Sequence, residues 1–104
     1  MKFLISQKEK LQKIIDNYGH RSQKEMLFEE MAELQKEVCK ELRGKGNKDH
    51  IAEELADVYL MLQQLQLMYG ITDEKIELEV QKKIERTLDR IECKTYVGKS
   101  GVCK

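Results

Sequence analysis

The chain's 104 residues balance 19 basic against 19 acidic side chains, are 37% charged and 6% aromatic, and include neither proline nor tryptophan. Zero net charge excludes the strongly basic footprint of a nucleic-acid binder. Few aromatics and many charges disfavour a sheet and favour helices with solvated faces. No run approaches the ~20 apolar residues of a membrane span, and Met1–Ile5 is too short for the apolar core of a signal peptide. The expectation is a cytoplasmic protein with neither nucleic acid nor membrane as partner. Cys39, Cys93 and Cys103 form no CxxC and read as reduced thiols, although Cys93 and Cys103 could oxidise.

In chain order, Ser6-Gln-Lys-Glu9 and Ser22-Gln-Lys-Glu25 read as capping boxes that open two helices. Gly19 closes the first helix. Gly44 and Gly46 close the second, since glycine accepts a left-handed conformation after a helix. Asn47 or Asp49 starts the third and Gly70 ends it. Thr72 caps the fourth, with Asp73 and Glu74 at the positive end of its dipole. Helices are therefore expected over 6–18, 22–43, 49–69 and 73–92. Residues 94–104, with two glycines and no periodicity, read as a flexible tail after a single domain spanning 1–93.

Short links imply an all-α, four-helix bundle-like fold. On the second helix Leu27, Met31, Leu34 and Val38 form an apolar stripe. Ile51, Leu55, Val58, Leu62, Leu65 and Tyr69 form one on the third, where Ala56, Leu60 and Leu67 occupy the opposite side. A helix apolar most of the way round needs cover most of the way round. Three short neighbours give too little, so assembly into a dimer or tetramer is expected. Ile76, Val80, Ile84, Leu88 and Ile91 make the expected buried stripe of the fourth helix, and Tyr18, Phe28, Tyr59 and Tyr69 read as core.

Two acidic clusters carry the chemistry. Residues three apart share a helix face, so Glu30 with Glu33, and Glu54 with Asp57, make two pairs of arms. Glu54 falls inside its helix's apolar arc, Asp57 at the edge, and Glu30 beside the stripe of its own helix. A carboxylate facing a core is costly unless paired or bound to a cation. Oxygen donors without His or Cys select Mg²⁺, or Mn²⁺, over zinc. Glu29, Glu37, Glu41 and Glu53 read as residues of the solvated faces. Lys83, Arg86 and Arg90, with Lys82 a little further round, line one edge of the fourth helix. They suit phosphate binding or a solvated face paired to Glu79.

The pattern Glu29-Glu30-Met-Ala-Glu33, a spacer, then Glu54-Leu-Ala-Asp57 resembles the EExxE…ExxD signature of the all-α NTP pyrophosphohydrolases, the MazG-like proteins among them. Lys83-Ile-Glu-Arg86-Thr-Leu-Asp-Arg90 looks like their basic segment, and the resemblance spans roughly residues 5–92. It implies Glu30, Glu33, Glu54 and Asp57 as metal ligands, with Glu29 binding metal or positioning water. Lys82, Lys83, Arg86 and Arg90 would hold substrate phosphates. The implied reaction converts a nucleoside triphosphate and water to the monophosphate and pyrophosphate, with the base open. A di-iron bundle would want Glu-x-x-His, but Asn17 and Asn47 precede His20 and His50 at that spacing. The alternative from another class is a non-enzymatic helical oligomerisation or interaction module, which leaves Glu54 unexplained.

Overall fold

The structure is a computed structural model that describes the backbone of residues 7–100 and the side chains of residues 7–93. The described residues form four α-helices and no strand: α1 (Lys8–Tyr18), α2 (His20–Leu42), α3 (Lys48–Tyr69) and α4 (Asp73–Ser100). The chain divides after Gly70 into two units, the first holding α1–α3 and the second α4. In the first unit each of the three helices packs on the other two.

Local chemistry sets the corners. Gly19, at φ +90°, alone joins α1 to α2. Its N–H returns to the Ile15 carbonyl at 2.7 Å, and its own carbonyl accepts from Gln23 N at 3.2 Å. The helix has therefore started before Ser22, and the expected capping box there does not form. Glu25 instead accepts from Arg21 Nε at 3.0 Å. The box at Ser6 lies outside the described residues.

The end of α2 is a Schellman turn. Lys45 N donates to Lys40 O and Gly44 N to Glu41 O, both at 2.9 Å, with Gly44 at φ +76°. Gly46 serves differently from the expectation. It is not left-handed; a Cβ there would run into the backbone of Glu41. Asn47, not Asp49, caps α3: its Oδ1 accepts from Asp49 N at 2.9 Å and His50 N at 3.2 Å. Gly70 closes α3 at φ +62°, and Thr72 Oγ1 caps α4 by accepting from Lys75 N at 3.1 Å. α4 does not stop near residue 92 but runs to Ser100, since no proline interrupts it and a lone Gly98 costs a helix only about 1 kcal/mol. Residues 101–104 of the expected tail, Cys103 included, lie outside the described residues; Cys39 is an exposed free thiol.

Leu11, Ile15, Leu27, Val58 and Met61 form the buried apolar core. Three helices cover only one stripe of each, and several expected core residues consequently lie open. Met31 and Val38 on α2, Leu55 and Tyr59 on α3, and Val80, Ile84, Leu88 and Ile91 on α4 are all exposed. So are Tyr18, Phe28 and Tyr69, against the expectation that the aromatics fill the core. Phe28, Met31, Leu34, Val38 and Val58 line an open groove of about 560 Å³. Among the described residues burial instead reaches the polar side chains of Gln23, Glu37, Gln63 and Gln64. Among the described residues no helix is long and apolar enough to cross a membrane.

Candidate metal centre

The α2–α3 seam is antiparallel and its register can be read from side chains. His50 Nδ1 lies 4.0 Å from Glu37 Oε2, near the link between the helices. Seven residues further from the link on each helix, carboxylate oxygens of Glu30 and Asp57 lie within 4.8 Å of each other. Seven residues is two turns of helix, so these pairs are successive rungs on one face.

At the second rung Glu30, Glu54 and Asp57 each bring a carboxylate oxygen within 4.8 Å of the others. Glu30 and Glu54 are half-buried and Asp57 exposed. One oxygen of Glu54, Oε2, is shut off from solvent and has no hydrogen-bond partner. Burial first, then the Asp57 charge and its hydrogen bond, then Glu54 and Glu33, push the Glu30 carboxyl above its ordinary value. Burial also raises Glu54, followed by the charges of Asp57, Glu33, Glu37 and Glu53.

The four expected ligands divide. Glu30, Glu54 and Asp57 converge. Glu33 is exposed and stands outside the trio, though its charge reaches both Glu30 and Glu54. Glu29 is exposed and outside the cluster. Glu37, read from sequence as solvated, is only 9% exposed and is held by Lys40 Nζ at 3.3 Å and by His50. The signal for it was available in the spacing: Glu30, Glu33 and Glu37 recur at the interval of one helix face, opposite His50, Glu54 and Asp57 at the matching interval.

The donors fit a hard divalent cation. All are carboxylate oxygens, one of them desolvated and unpartnered, and their mutual repulsion is what bound positive charge removes. On α4 the basic residues Lys82, Lys83, Arg86 and Arg90 are exposed. Glu79 pairs with Lys75 at 3.0 Å and Lys82 at 3.6 Å, not with Lys83 as the sequence suggested. Those two ammonium groups hold its carboxyl below the ordinary range. Comparison of the chain with protein-family models, with curated proteins and with solved structures finds no match.

Proposed function

We propose that this chain is a Mg²⁺- or Mn²⁺-dependent nucleoside triphosphate pyrophosphohydrolase of the MazG-like kind, working as a homodimer or homotetramer. The observation that carries the reading is the convergence of Glu30, Glu54 and Asp57 around a desolvated, unpartnered Glu54 oxygen. A structural acid at that position would be expected to have an Arg, a Lys or a backbone amide for company. Glu54 has other acids instead.

Glu30, Glu54 and Asp57 hold the cation in this reading, and Glu33, close enough for its charge to be felt by two of them, completes the set. The chemistry a divalent cation would supply there is neutralisation of phosphate charge and a more acidic water. Water attacks one phosphorus of the chain, the bridging P–O bond breaks, and the products are a nucleoside monophosphate and pyrophosphate. Lys82, Lys83, Arg86 and Arg90 are assigned to the phosphates by the resemblance and by their charge. The open apolar residues of α2 and α4 support self-association, since contiguous exposed apolar surface marks an interface.

The same open stripes favour the second reading, a helical interaction module without catalysis. Calorimetric titration with Mg²⁺, with and without a non-hydrolysable triphosphate, separates the two. The hydrolase binds metal and releases pyrophosphate from at least one nucleotide in a panel of bases, and EDTA abolishes release. Turnover undiminished in EDTA, or no heat on adding metal, rejects the proposal.

A further inference from the structure

Two side-chain oxygens among the described residues are buried without a partner, Glu54 Oε2 and Gln64 Oε1. The first belongs to the metal centre. The second lies on the same face of α3, seven residues beyond Asp57, and Gln64 has no exposed surface at all. Its Nε2 finds only the thioether of Met61, at 3.9 Å. Sulfur is a weak acceptor, so the amide is poorly used at both ends.

The register of the seam says what faces it. The step from the Glu37–His50 rung to the Glu30–Asp57 rung is seven residues on each helix, and an equal step arrives at Gln23 and Gln64. Gln23 is only 6% exposed. Heptad spacing therefore extends the two observed pairs, an acid with a histidine and an acid with an acid, to the buried amides of Gln23 and Gln64. An apolar residue at the third rung would serve the fold better, since a buried amide without partners is a net cost.

We propose that the Gln23–Gln64 rung reads the nucleobase of the substrate, and that the base it accepts presents an exocyclic amino group, as cytosine and adenine do. This rests on the hydrolase reading above. Two turns of helix separate the rung from the carboxylates, about 10 Å of rise, which matches the reach of a nucleotide from its phosphates to the far edge of its base. The unpartnered atom of Gln64 is an acceptor, so the complement is an N–H donor. An amino group supplies one where the oxo group of uracil or hypoxanthine offers only another acceptor. With the Gln64 amide held in its present orientation, Nε2 toward Met61, an oxo group leaves the buried oxygen unpaired, and this is the source of the selectivity. In the free chain the rung is closed. Among its described residues α1 buries only Leu11 and Ile15, it packs on both α2 and α3, and it meets α2 through Gly19 alone. Movement of α1 about Gly19 admits the base.

The test compares deamination pairs, dCTP with dUTP and dATP with dITP, in pyrophosphate-release assays on wild type, Gln64→Leu and Gln64→Met. Wild type should favour at least one amino-bearing base over its oxo counterpart by about tenfold or more in kcat/KM. Both variants should bring that ratio to within about twofold of unity, with the larger loss in kcat/KM falling on the amino-bearing nucleotide. Thermal melts accompany the kinetics, and two apolar replacements of different shape guard against a packing failure in either one. A wild type indifferent to the amino group overturns the inference, as does selectivity that survives in a variant, or equal loss on both members of a pair. Hydrolysis without selectivity defeats the base reading alone. No hydrolysis of any nucleotide defeats the proposed function, and the base reading with it.

Discussion

The two long faces of α2 have opposite problems. The face toward α3 carries Glu30 and Glu37, and it is the charged side chains there that lose solvent. The other carries Phe28, Met31 and Val38, and it is the apolar side chains there that keep solvent. Folding of an isolated chain favours the reverse on both counts. Each face therefore carries a cost that the described residues of the single chain leave in place: clustered negative charge on one side, and open apolar surface on the other.

The largest effect should come from the acid opposite that face on α3, Glu54, whose Oε2 is shut off from solvent without a partner. Glu54→Gln keeps shape and removes charge. Saturating Mg²⁺ should stabilise wild type by about 2.7 kcal/mol at 100-fold excess over Kd, following the logarithm of metal concentration. The variant should lose most of that gain, because a neutral amide is a poorer ligand for a hard cation. Pyrophosphate release should fall by about a hundredfold or more, beyond the range usual for groups that merely support a ligand. Glu41→Gln, at an exposed position of α2, should keep both. Equal metal-induced shifts in wild type and Glu54→Gln thermal melts would move the site elsewhere.

The apolar face is tested by the pair Phe28→Ser and Val38→Ser. In wild type, sedimentation at micromolar concentration should give a species of twice or four times the 12.3 kDa chain mass. The double variant should shift toward the single-chain mass while its Mg²⁺-induced melting shift survives within about 0.5 kcal/mol. Loss of that shift along with assembly would show that the two faces are not independent. A wild type that sediments as a clean monomer would remove the reason for the apolar face altogether.

The sequence made some of this legible and hid the rest for definite reasons. Corner chemistry is local, so Gly19, Gly44, Asn47, Gly70 and Thr72 declared the helix breaks. The Glu54–Asp57 spacing put two carboxylates on one face without knowledge of any neighbour. Ser22 misled because a capping box is a preference, and Gly19 had already turned the chain three residues earlier. Glu37 and Gln64 were missed because burial depends on which stripe of α2 meets which stripe of α3. That register becomes visible only when Glu30 and Asp57 are seen together. The apolar stripes of α2 and α4 were correctly periodic, but periodicity says a face is apolar and does not say that the chain covers it.

The register depends on a tight link, which gives a smaller and purely structural prediction. Gly46→Ala places a methyl group against the Glu41 backbone, so the link between α2 and α3 must shift. A cost of about 1–3 kcal/mol in denaturant unfolding is expected, the range of overpacked sites. Gly44→Ala meets open space but keeps a left-handed φ of +76°, and should cost about 1 kcal/mol. A reversed order would mean that the link relaxes freely and does not fix the register. In that case both variants should also retain their full Mg²⁺ response.

The smallest effect is the pH dependence of the metal-free protein, and its sign follows from the cluster. The carboxyls of Glu30 and Glu54 sit above their ordinary value in the folded chain, first through burial and then through neighbouring acids. In the unfolded chain a glutamate titrates near pH 4.3, roughly. Below that pH both states are protonated and the groups contribute no difference. Between the unfolded and the raised folded values the folded state binds more protons than the unfolded one, so these two residues make stability fall as pH rises. Above the folded values their penalty is complete and constant. Ordinary paired carboxylates such as Glu79, held low by Lys75 and Lys82, slope the other way. The difference between wild type and Glu54→Gln isolates the term. The variant should gain on wild type as pH rises through this window in metal-free melts. Saturating Mg²⁺ should reverse that gain, because bound charge favours the deprotonated carboxylate. A wild-type-minus-variant difference that is flat with pH would mean that Glu54 ionises without strain, and that the acid face of α2 needs no cation to complete it.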